Sequence, residues 1–308
     1  PKYQREQGCL FLNTLLLNRN KMTAGLRFRE TLKNNKPLQI VGCINAYCAL
    51  MAEKVGHKSV YLSGAGVSNA SFGMPDLGMT SLNDVIEDAK RITSVTNLPL
   101  LVDIDTGWGG AFNISRTIKE MYRSGVASIH IEDQVGQKRC GHRPNKEMVS
   151  TGEMVDRIKA CVDARQDESF FIIARTDAFA SEGMESSIDR SNSYIEAGAD
   201  GIFAEAMTEK GHYKTFKKAL SVPILANMTE FGKTPLSSKE ELNNVGVDMI
   251  LYPLSAFRAM NKAALNVYEK LLSEGHQKSL LNEMQTRDEL YEFLEYESYE
   301  NKLDDLFV

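Results

Sequence analysis

The chain of 308 residues is long enough for one large domain or two small ones. Hydrophobic residues make up 43% and charged residues 25%, an ordinary balance for a globular protein that argues against extensive disorder. The 36 Lys and Arg residues face 41 Asp and Glu residues, and the net charge of −5 argues against a nucleic acid partner. Five cysteines, an odd number without a Cys-x-x-Cys motif, favour reduced thiols in a cytoplasmic protein.

The first 21 residues carry a short apolar run, 9–17, that follows Lys2 and Arg5. This run is similar to a weak signal peptide, but no small-x-small cleavage site follows it. We therefore expect residues 1–21 to be a disordered or adventitious extension and residues 22–308 to form a single domain. No stretch of about 18 apolar residues occurs, so the sequence predicts no membrane partner. The segment 277–306 is rich in Glu, Leu and Tyr, which is typical of helix.

The middle of the chain repeats one unit, in which an apolar or β-branched run, a polar stretch and an amphipathic helix follow one another. The predicted strands span 38–45, 59–63, 99–103, 128–132, 170–175, 201–205, 223–227 and 248–252. The predicted helices span 47–56, 83–95, 113–124, 151–165, 185–197, 209–219, 238–244 and 255–273. Eight such units predict an α/β fold, a (β/α)₈ barrel of the TIM type with extra C-terminal helices. The alternative is a doubly wound open sheet, but its Gly-rich dinucleotide fingerprint is missing after the first strand.

Polar side chains follow nearly all of the predicted strands at the point where each strand ends. In a barrel these ends meet at one mouth, which is where catalytic groups lie. Crowded carboxylates need protonation or a cation, and oxygen ligands without a His–Cys cluster favour Mg²⁺ or Mn²⁺ over Zn²⁺. Asp103 and Asp105 are the strongest candidate ligands, because alternation along a strand directs both side chains to one face. The alternative is that one of them caps the turn at 107–110.

The loop after the fourth predicted strand is strongly basic. Within it, Lys138, Arg139, His142 and Arg143 surround Cys140. Cationic neighbours stabilise a thiolate, which suits this cysteine to proton transfer or nucleophilic attack. The cations would also hold substrate carboxylates. The alternative is a solvated basic turn with an incidental cysteine, and spacing alone does not separate the two.

This loop also carries a family resemblance. Its Lys138-Arg139-Cys140-Gly141-His142 segment resembles the signature of the isocitrate lyase and phosphoenolpyruvate mutase superfamily. Over about residues 24–307, the chain is similar to the 2-methylisocitrate lyases of that superfamily. The other blocks that carry the resemblance are Ser63-Gly64-Ala65-Gly66, Met74-Pro75-Asp76-Leu77-Gly78, His130-Ile131-Glu132-Asp133-Gln134, Ala174-Arg175-Thr176-Asp177-Ala178, Asn227-Met228-Thr229-Glu230-Phe231-Gly232, and Tyr252-Pro253-Leu254-Ser255-Ala256-Phe257-Arg258-Ala259-Met260.

The resemblance implies a carbon–carbon lyase that depends on Mg²⁺, with Mn²⁺ as a possible substitute. Its substrate would be the tricarboxylate (2S,3R)-2-methylisocitrate, split into pyruvate and succinate in the methylcitrate cycle of propionate breakdown. Asp103 and Asp105 would hold the metal, with Asp76 and Glu132 as outer-sphere ligands. The resemblance further implies a homotetramer, a dimer of dimers in which the last barrel helix is swapped between subunits.

The resemblance also implies roles for residues around the metal. Cys140 would donate a proton to the carbanion that carbon–carbon cleavage leaves, and Tyr61 or Glu205 would be the base that starts the reaction. The positions that match substrate-binding residues of the family are Ser63, Gly64, Ala65, Cys140, Gly141, Arg175, Glu205, Asn227, Met228, Thr229, Arg258 and Arg287.

Several other functions remain alternatives on the sequence. Isocitrate lyases share the Cys-Gly-His loop but are longer, with an inserted helical region that is missing here. Superfamily enzymes that act on phosphonopyruvate or oxaloacetate would typically lack Cys140. A Schiff-base aldolase needs a lysine at a strand end, and no predicted strand ends in one. A non-catalytic binding relative would have lost Asp103, Asp105 or Cys140, and all three are present.

Overall fold

The computed structural model describes residues 22–143 and 145–306, so the predictions for residues 1–21 lie outside the described residues. Eight parallel strands form a closed barrel in chain order, which confirms the predicted barrel and excludes the open sheet. The strands are β1 (Leu38–Gly42), β2 (Val60–Leu62), β3 (Leu100–Asp103), β4 (Ser128–Glu132), β5 (Phe171–Thr176), β6 (Gly201–Ala204), β7 (Ile224–Asn227) and β8 (Met249–Tyr252).

Helices alternate with the strands, as the repeating pattern predicts. Two helices, α1 and α3, were not predicted. In chain order the helices are α1 (Ala24–Asn34), α2 (Ala46–Val55), α3 (Gly64–Phe72), α4 (Leu82–Val95), α5 (Ala111–Arg123), α6 (Thr151–Ala164), α7 (Phe179–Glu196), α8 (Lys210–Ala219), α9 (Lys239–Asn244), α10 (Ser255–Glu274), a 3₁₀ turn (Lys278–Glu283), α11 (Arg287–Phe293) and α12 (Tyr296–Leu306).

Two element boundaries differ from the prediction for identifiable reasons. β1 ends at Gly42 rather than at 45, because the Asn45 side chain accepts a hydrogen bond from the Cys48 N–H and so caps α2. α7 begins six residues before its predicted start at 185, and Gly183 kinks it with a φ of 82°. Only glycine adopts such a conformation without strain, which explains why no helical pattern runs through this position.

The barrel interior is filled by alternate residues of the strands and is closed at its amino-terminal end by α1. Phe28 of α1 is fully buried, and its ring centroid lies 5.1 Å from that of Phe171 on β5. Arg29 extends this contact through an ion pair of 2.7 Å with Asp200, just before β6. Because the amino-terminal end is closed, the opposite mouth is left for a functional site.

The last long helix, α10, does not bury a side against the barrel of its own chain. α10 follows β8, yet none of its 20 residues is buried against the described chain. Leu265, Tyr268 and Leu272 are exposed along one side of it.

No helix in the described ranges is both long enough and apolar enough to cross a membrane.

Replacing Phe28 with alanine should destabilise the protein by about 3–5 kcal/mol, the range for removing a buried aromatic ring. The cause is a cavity at the closed end of the barrel, which denaturant unfolding would measure. Leu26→Ala, on the same helix at a side chain that is 39% exposed, is the matched control and should change the free energy of unfolding by well under half as much. Equal effects would show that α1 does not close the barrel.

Candidate active site

One cavity of about 90 Å³ opens at the carboxyl ends of the strands. Cys140 and Asp103 line this same cavity, as the predicted site requires. The predicted site residues that line it are Tyr61, Ser63, Ala65, Asp76, Asp103, Cys140, Gly141, Arg175, Glu205, Asn227, Thr229 and Arg258. Residues from the ends of most strands thus converge on one mouth.

Five predicted residues do not line the cavity. Gly64, Asp105 and Glu132 lie directly behind the lining: Gly64 and Asp105 contact Asp103, and Glu132 lies 3.4 Å from Arg175. Met228 is buried in the layer between strands and helices, because it follows the inward-facing Asn227 and alternation turns it outward. Arg287 is exposed at the start of α11, which packs on α2, so the structure of this chain does not bring Arg287 into the cavity.

Asp103, at the end of β3, is held by two backbone N–H groups. The Gly64 N–H donates to Asp103 Oδ2 at 3.2 Å, and the Asp105 N–H donates to Asp103 Oδ1 at 3.0 Å. A methyl group added to Gly64 would lie 3.1 Å from both Asp103 Oδ2 and Asp105 Oδ1. These two oxygens therefore converge beside Gly64, and the space needed by a cation depends on a glycine at this position.

Buried negative charge exceeds buried positive charge around this mouth. Five carboxylates, each with a side chain at most 6% exposed, face three cations that are at most 10% exposed. If all are ionised, two negative charges are uncompensated. The carboxylates belong to Asp103, Asp105, Glu132, Asp177 and Glu205, and the cations to Lys138, Lys146 and Arg175.

Burial and the neighbouring charges shift the ionisation of these groups in opposite directions. Burial raises the pKa of Glu132 well above its usual range, and Arg175 and Lys138 offset this only in part. Burial also raises the pKa of Asp105, to about 6, despite its contact with Lys138. For Asp103 burial is outweighed by the surrounding His130, Lys138 and Arg175, which lower the pKa of its carboxyl to about 2.

The same carboxylates fit a divalent cation. Both Glu132 oxygens are buried and accept no hydrogen bond from the described residues, which is costly unless a cation or its water is nearby. No three His, Cys, Asp or Glu side chains within residues 22–143 and 145–306 converge as a ligand set. Asp103 and Asp105 would therefore bind alone, with water and substrate completing the shell, as Mg²⁺ commonly prefers.

The wall of the cavity opposite the aspartates carries cationic and amide side chains. Arg175 forms two hydrogen bonds to Asp177, at 2.8 and 3.1 Å, and lies 3.5 Å from Glu205. Asn227 donates to Glu205 at 3.2 Å, and His142 Nε2 lies 3.1 Å from it. Burial of Glu205 is outweighed by Arg175 and His142, which keep the pKa of its carboxyl low. Glu205 is therefore a stable anion that orients donors, and a weak proton acceptor.

Tyr61 lines the cavity, and His130 is buried directly behind it. The Tyr61 hydroxyl lies 2.9 Å from His130 Nε2, and the two rings stack with centroids 5.7 Å apart. Burial lowers the pKa of His130 to about 4, so the imidazole is neutral near pH 7. Burial and Asp103 raise the pKa of Tyr61 well above its usual range, so the phenol is protonated near pH 7.

The Cys140 loop is held against this mouth by specific contacts, which disagrees with the solvated-turn alternative. The Gln134 side chain donates to the Arg139 carbonyl at 2.9 Å and accepts from its N–H at 3.0 Å. Lys138 is buried, and a methyl group on Gly141 would lie 2.4 Å from Arg175. Cys140 itself is exposed and forms no disulfide with another cysteine in the described part of the chain.

Sequence reasoning missed three residues of the site. His130 lies two residues before Glu132, so strand alternation alone would direct it inward and identify it as a candidate. Lys138 and His142 were counted as loop cations without individual contacts. No sequence pattern specifies those contacts, because their partners lie on other strands.

The comparisons with known proteins agree with this architecture. A family model for phosphoenolpyruvate phosphomutase matches residues 28–272. A 2-methylisocitrate lyase of Shewanella oneidensis is 66% identical over 285 residues, which are 92% of this chain and 98% of the relative. A 2-methylisocitrate lyase of Vibrio cholerae is 61% identical over 301 residues, 96% of this chain and 98% of the relative. The crystal structure of a 2,3-dimethylmalate lyase superimposes with a TM-score of 0.85 at 34% identity, covering 91% of this chain and 94% of that one.

These findings define the chain as an enzyme of the lyase class, built on a (β/α)₈ barrel that acts on a small molecule. It belongs to the phosphoenolpyruvate phosphomutase family and, within it, to the 2-methylisocitrate lyases. The superfamily depends on divalent metal ions.

Proposed function

We propose that this enzyme cleaves (2S,3R)-2-methylisocitrate to pyruvate and succinate, in the methylcitrate cycle of propionate breakdown. The observation that carries the proposal is that Cys140 and Asp103 line one cavity, with Asp105 directly behind Asp103, and that the opposite wall carries Arg175 and Asn227. The resident cation would be Mg²⁺, with Mn²⁺ as a substitute.

Substrate binding follows from the polarity of the walls. A tricarboxylate needs several cationic and amide donors, and Arg175, Arg258, Asn227 and Thr229 line the cavity together. An apolar wall would face the methyl group; its lining includes Phe203, Leu251 and Leu254. Ser63 and Gly141 would add polar contacts at the two loops that close the cavity.

Proton removal is assigned to Tyr61 rather than to Glu205. The Tyr61 hydroxyl would accept the substrate's hydroxyl proton while passing its own proton to His130 Nε2, 2.9 Å away. This transfer avoids a free phenolate, which burial disfavours. Burial also disfavours the imidazolium that forms, but Asp103 Oδ1, 3.7 Å from His130 Nδ1, would stabilise its charge. When bound, a divalent cation would stabilise negative charge on the hydroxyl oxygen and on the adjacent carboxylate.

Cys140 completes the reaction by protonating carbon. Cleavage leaves a carboxylate-stabilised carbanion on the succinate half, which is short-lived and needs an acid held close to it. The Cys140 thiol would donate that proton, and the contact of Gly141 with Arg175 holds the loop near the substrate's carboxylates.

We also propose a cytoplasmic homotetramer in which α10 is swapped between paired subunits. α10 has no buried residue against its own described chain, although it bears an apolar side. An apolar cavity of about 510 Å³ lies beside α2, where the last helix of a barrel would pack; its lining includes Cys43, Cys48, Met51 and Val55. The helix of a partner subunit would fill this space. Residues 22–308 would then act as one domain.

A side-by-side assay tests the substrate assignment. The kcat/KM for 2-methylisocitrate should exceed that for isocitrate by about 10–200-fold, because one methyl group in an apolar pocket contributes that much. An equal or reversed preference would favour the isocitrate lyase alternative. Turnover of neither compound by metal-loaded enzyme would reject the proposed reaction.

Cys140→Ser should lower kcat by about 10²–10⁴-fold, the usual contribution of a positioned proton donor. Mn²⁺ affinity and the thermal midpoint should stay at the wild-type values, since the thiol is exposed and has no structural partner among the described residues. Gln137→Ser, which puts a serine three positions earlier in the same loop, is the control. Near-normal turnover by Cys140→Ser would reject the thiol as proton donor.

Removing the metal should abolish turnover, and adding Mg²⁺ or Mn²⁺ should restore it, because without a cation the negative charges of Asp103 and Asp105 would repel the developing oxyanion. Asp103→Asn should also lose Mn²⁺ binding, measured by the electron paramagnetic resonance signal of free Mn²⁺. Full activity in a metal-free preparation would remove both aspartates from this role.

A Leu265→Glu/Leu272→Glu double variant should dissociate the swapped assembly, because it puts charges on the apolar side of α10. Light scattering coupled to size-exclusion chromatography would measure the mass. Ala263→Glu is the control, since helical geometry of about 100° per residue puts it on the opposite side. An unchanged mass for the double variant would contradict the swap.

A further inference from the structure

Lys138 belongs to the Cys140 loop but makes its contacts at the aspartate pair. Its side chain is 4% exposed, and Nζ lies 2.5 Å from Asp105 Oδ1 and 2.6 Å from Asp76 Oδ1. Asp76 comes from the connection between α3 and α4, so one ammonium group links three loops of the mouth. A lysine on a solvated basic turn would not be buried between two carboxylates.

The oxygen that Lys138 contacts is the oxygen that a cation would need. Asp105 Oδ1 and Asp103 Oδ2 converge beside Gly64, as the 3.1 Å distances from an added methyl group indicate. A divalent cation bound by both aspartates would approach Asp105 from this side. An ammonium group and a divalent cation repel each other strongly at such short range in a buried site.

Lys138 also lies two residues from Cys140, so its contacts influence where the thiol sits. The Gln134 side chain fixes the backbone of Arg139, between Lys138 and Cys140. The loop is therefore held from one side by an amide and from the other by the buried ammonium. Release of the ammonium would leave the Cys140 segment with one fewer anchor.

We propose that Lys138 competes with the divalent cation for Asp105 and thereby couples metal binding to the position of the Cys140 loop. The inference rests on the metal site of the proposed function. Because such coupling is reciprocal, the ammonium weakens cation binding by the same factor by which the cation loosens the loop. Lys138 is thus a positioning residue for the thiol and for the cation.

The test compares Lys138→Met with Lys146→Met, two variants that each remove one buried ammonium from the same mouth. Lys146 contacts Asp177 at 2.6 Å and does not contact either metal-binding aspartate. Titration with Mn²⁺ alone should show about tenfold tighter binding to Lys138→Met, within the usual range of coupling between two ligands. Lys146→Met should bind Mn²⁺ with nearly wild-type affinity. Unchanged affinity of Lys138→Met, or equal tightening in both variants, would overturn the proposal.

A second measurement reports on the loop without using activity. Iodoacetamide labelling of Cys140, quantified by peptide mass spectrometry, should become faster in the wild type when Mn²⁺ is added. In Lys138→Met labelling should be fast from the start and insensitive to Mn²⁺. Slower or unchanged labelling of the wild type with Mn²⁺ would contradict displacement of the ammonium. Lys138→Gln repeats both measurements should the methionine variant fold poorly.

Failure of this inference is distinguishable from failure of the metal site. If the wild type binds no Mn²⁺ and Asp103→Asn behaves identically, the metal assignment itself is wrong. If the wild type binds Mn²⁺ through Asp103 but Lys138→Met gains no affinity, only the competition is wrong. The competition would be supported if Mn²⁺ raises the thermal midpoint of Lys138→Met more than that of the wild type.

Discussion

The chemistry of this enzyme depends on an excess of buried negative charge at one mouth of the barrel. Burying five carboxylates against three cations is unfavourable unless protons or a divalent cation supply the difference. The barrel tolerates this arrangement because the strands and α1 provide a large apolar core elsewhere. Burial in this mouth raises the pKa of Glu132 and leaves both of its carboxylate oxygens without a hydrogen bond from the described residues.

The same charge organises the loop that carries Cys140. Lys138 is drawn into the mouth by Asp76 and Asp105, while Gly141 allows the backbone to approach Arg175 closely. The thiol is thereby held over the cavity by residues that do not react. In the proposed reaction the cation and the thiol act on opposite halves of the substrate, so both must border one small space.

Much of this arrangement could be predicted from the sequence, because short apolar runs that alternate with amphipathic segments specify the strand–helix units and their order. Asp103 and Asp105 were identifiable from strand alternation, and Cys140 from its basic neighbours. The burial of Lys138 could not be predicted, since its partners lie on other loops and its sequence surroundings are those of a solvated turn. Helix α3 was missed because Gly64-Ala65-Gly66 is a poor helical sequence that tertiary contacts stabilise. Arg287 remains a prediction from resemblance, because α11 lies on α2 rather than in the cavity.

The proximity of the bound cation to the Cys140 sulfur is the most direct test of the account. A ¹³C-methylthio group attached to Cys140 gives a resonance that is identified by its absence in Cys140→Ser. Mn²⁺ bound at the aspartate pair should broaden this resonance strongly in the wild type and leave it sharp in Asp103→Asn. A resonance that stays sharp in the Mn²⁺-loaded wild type would show that the thiol and the metal do not share a cavity, and the proposed lyase mechanism would be wrong.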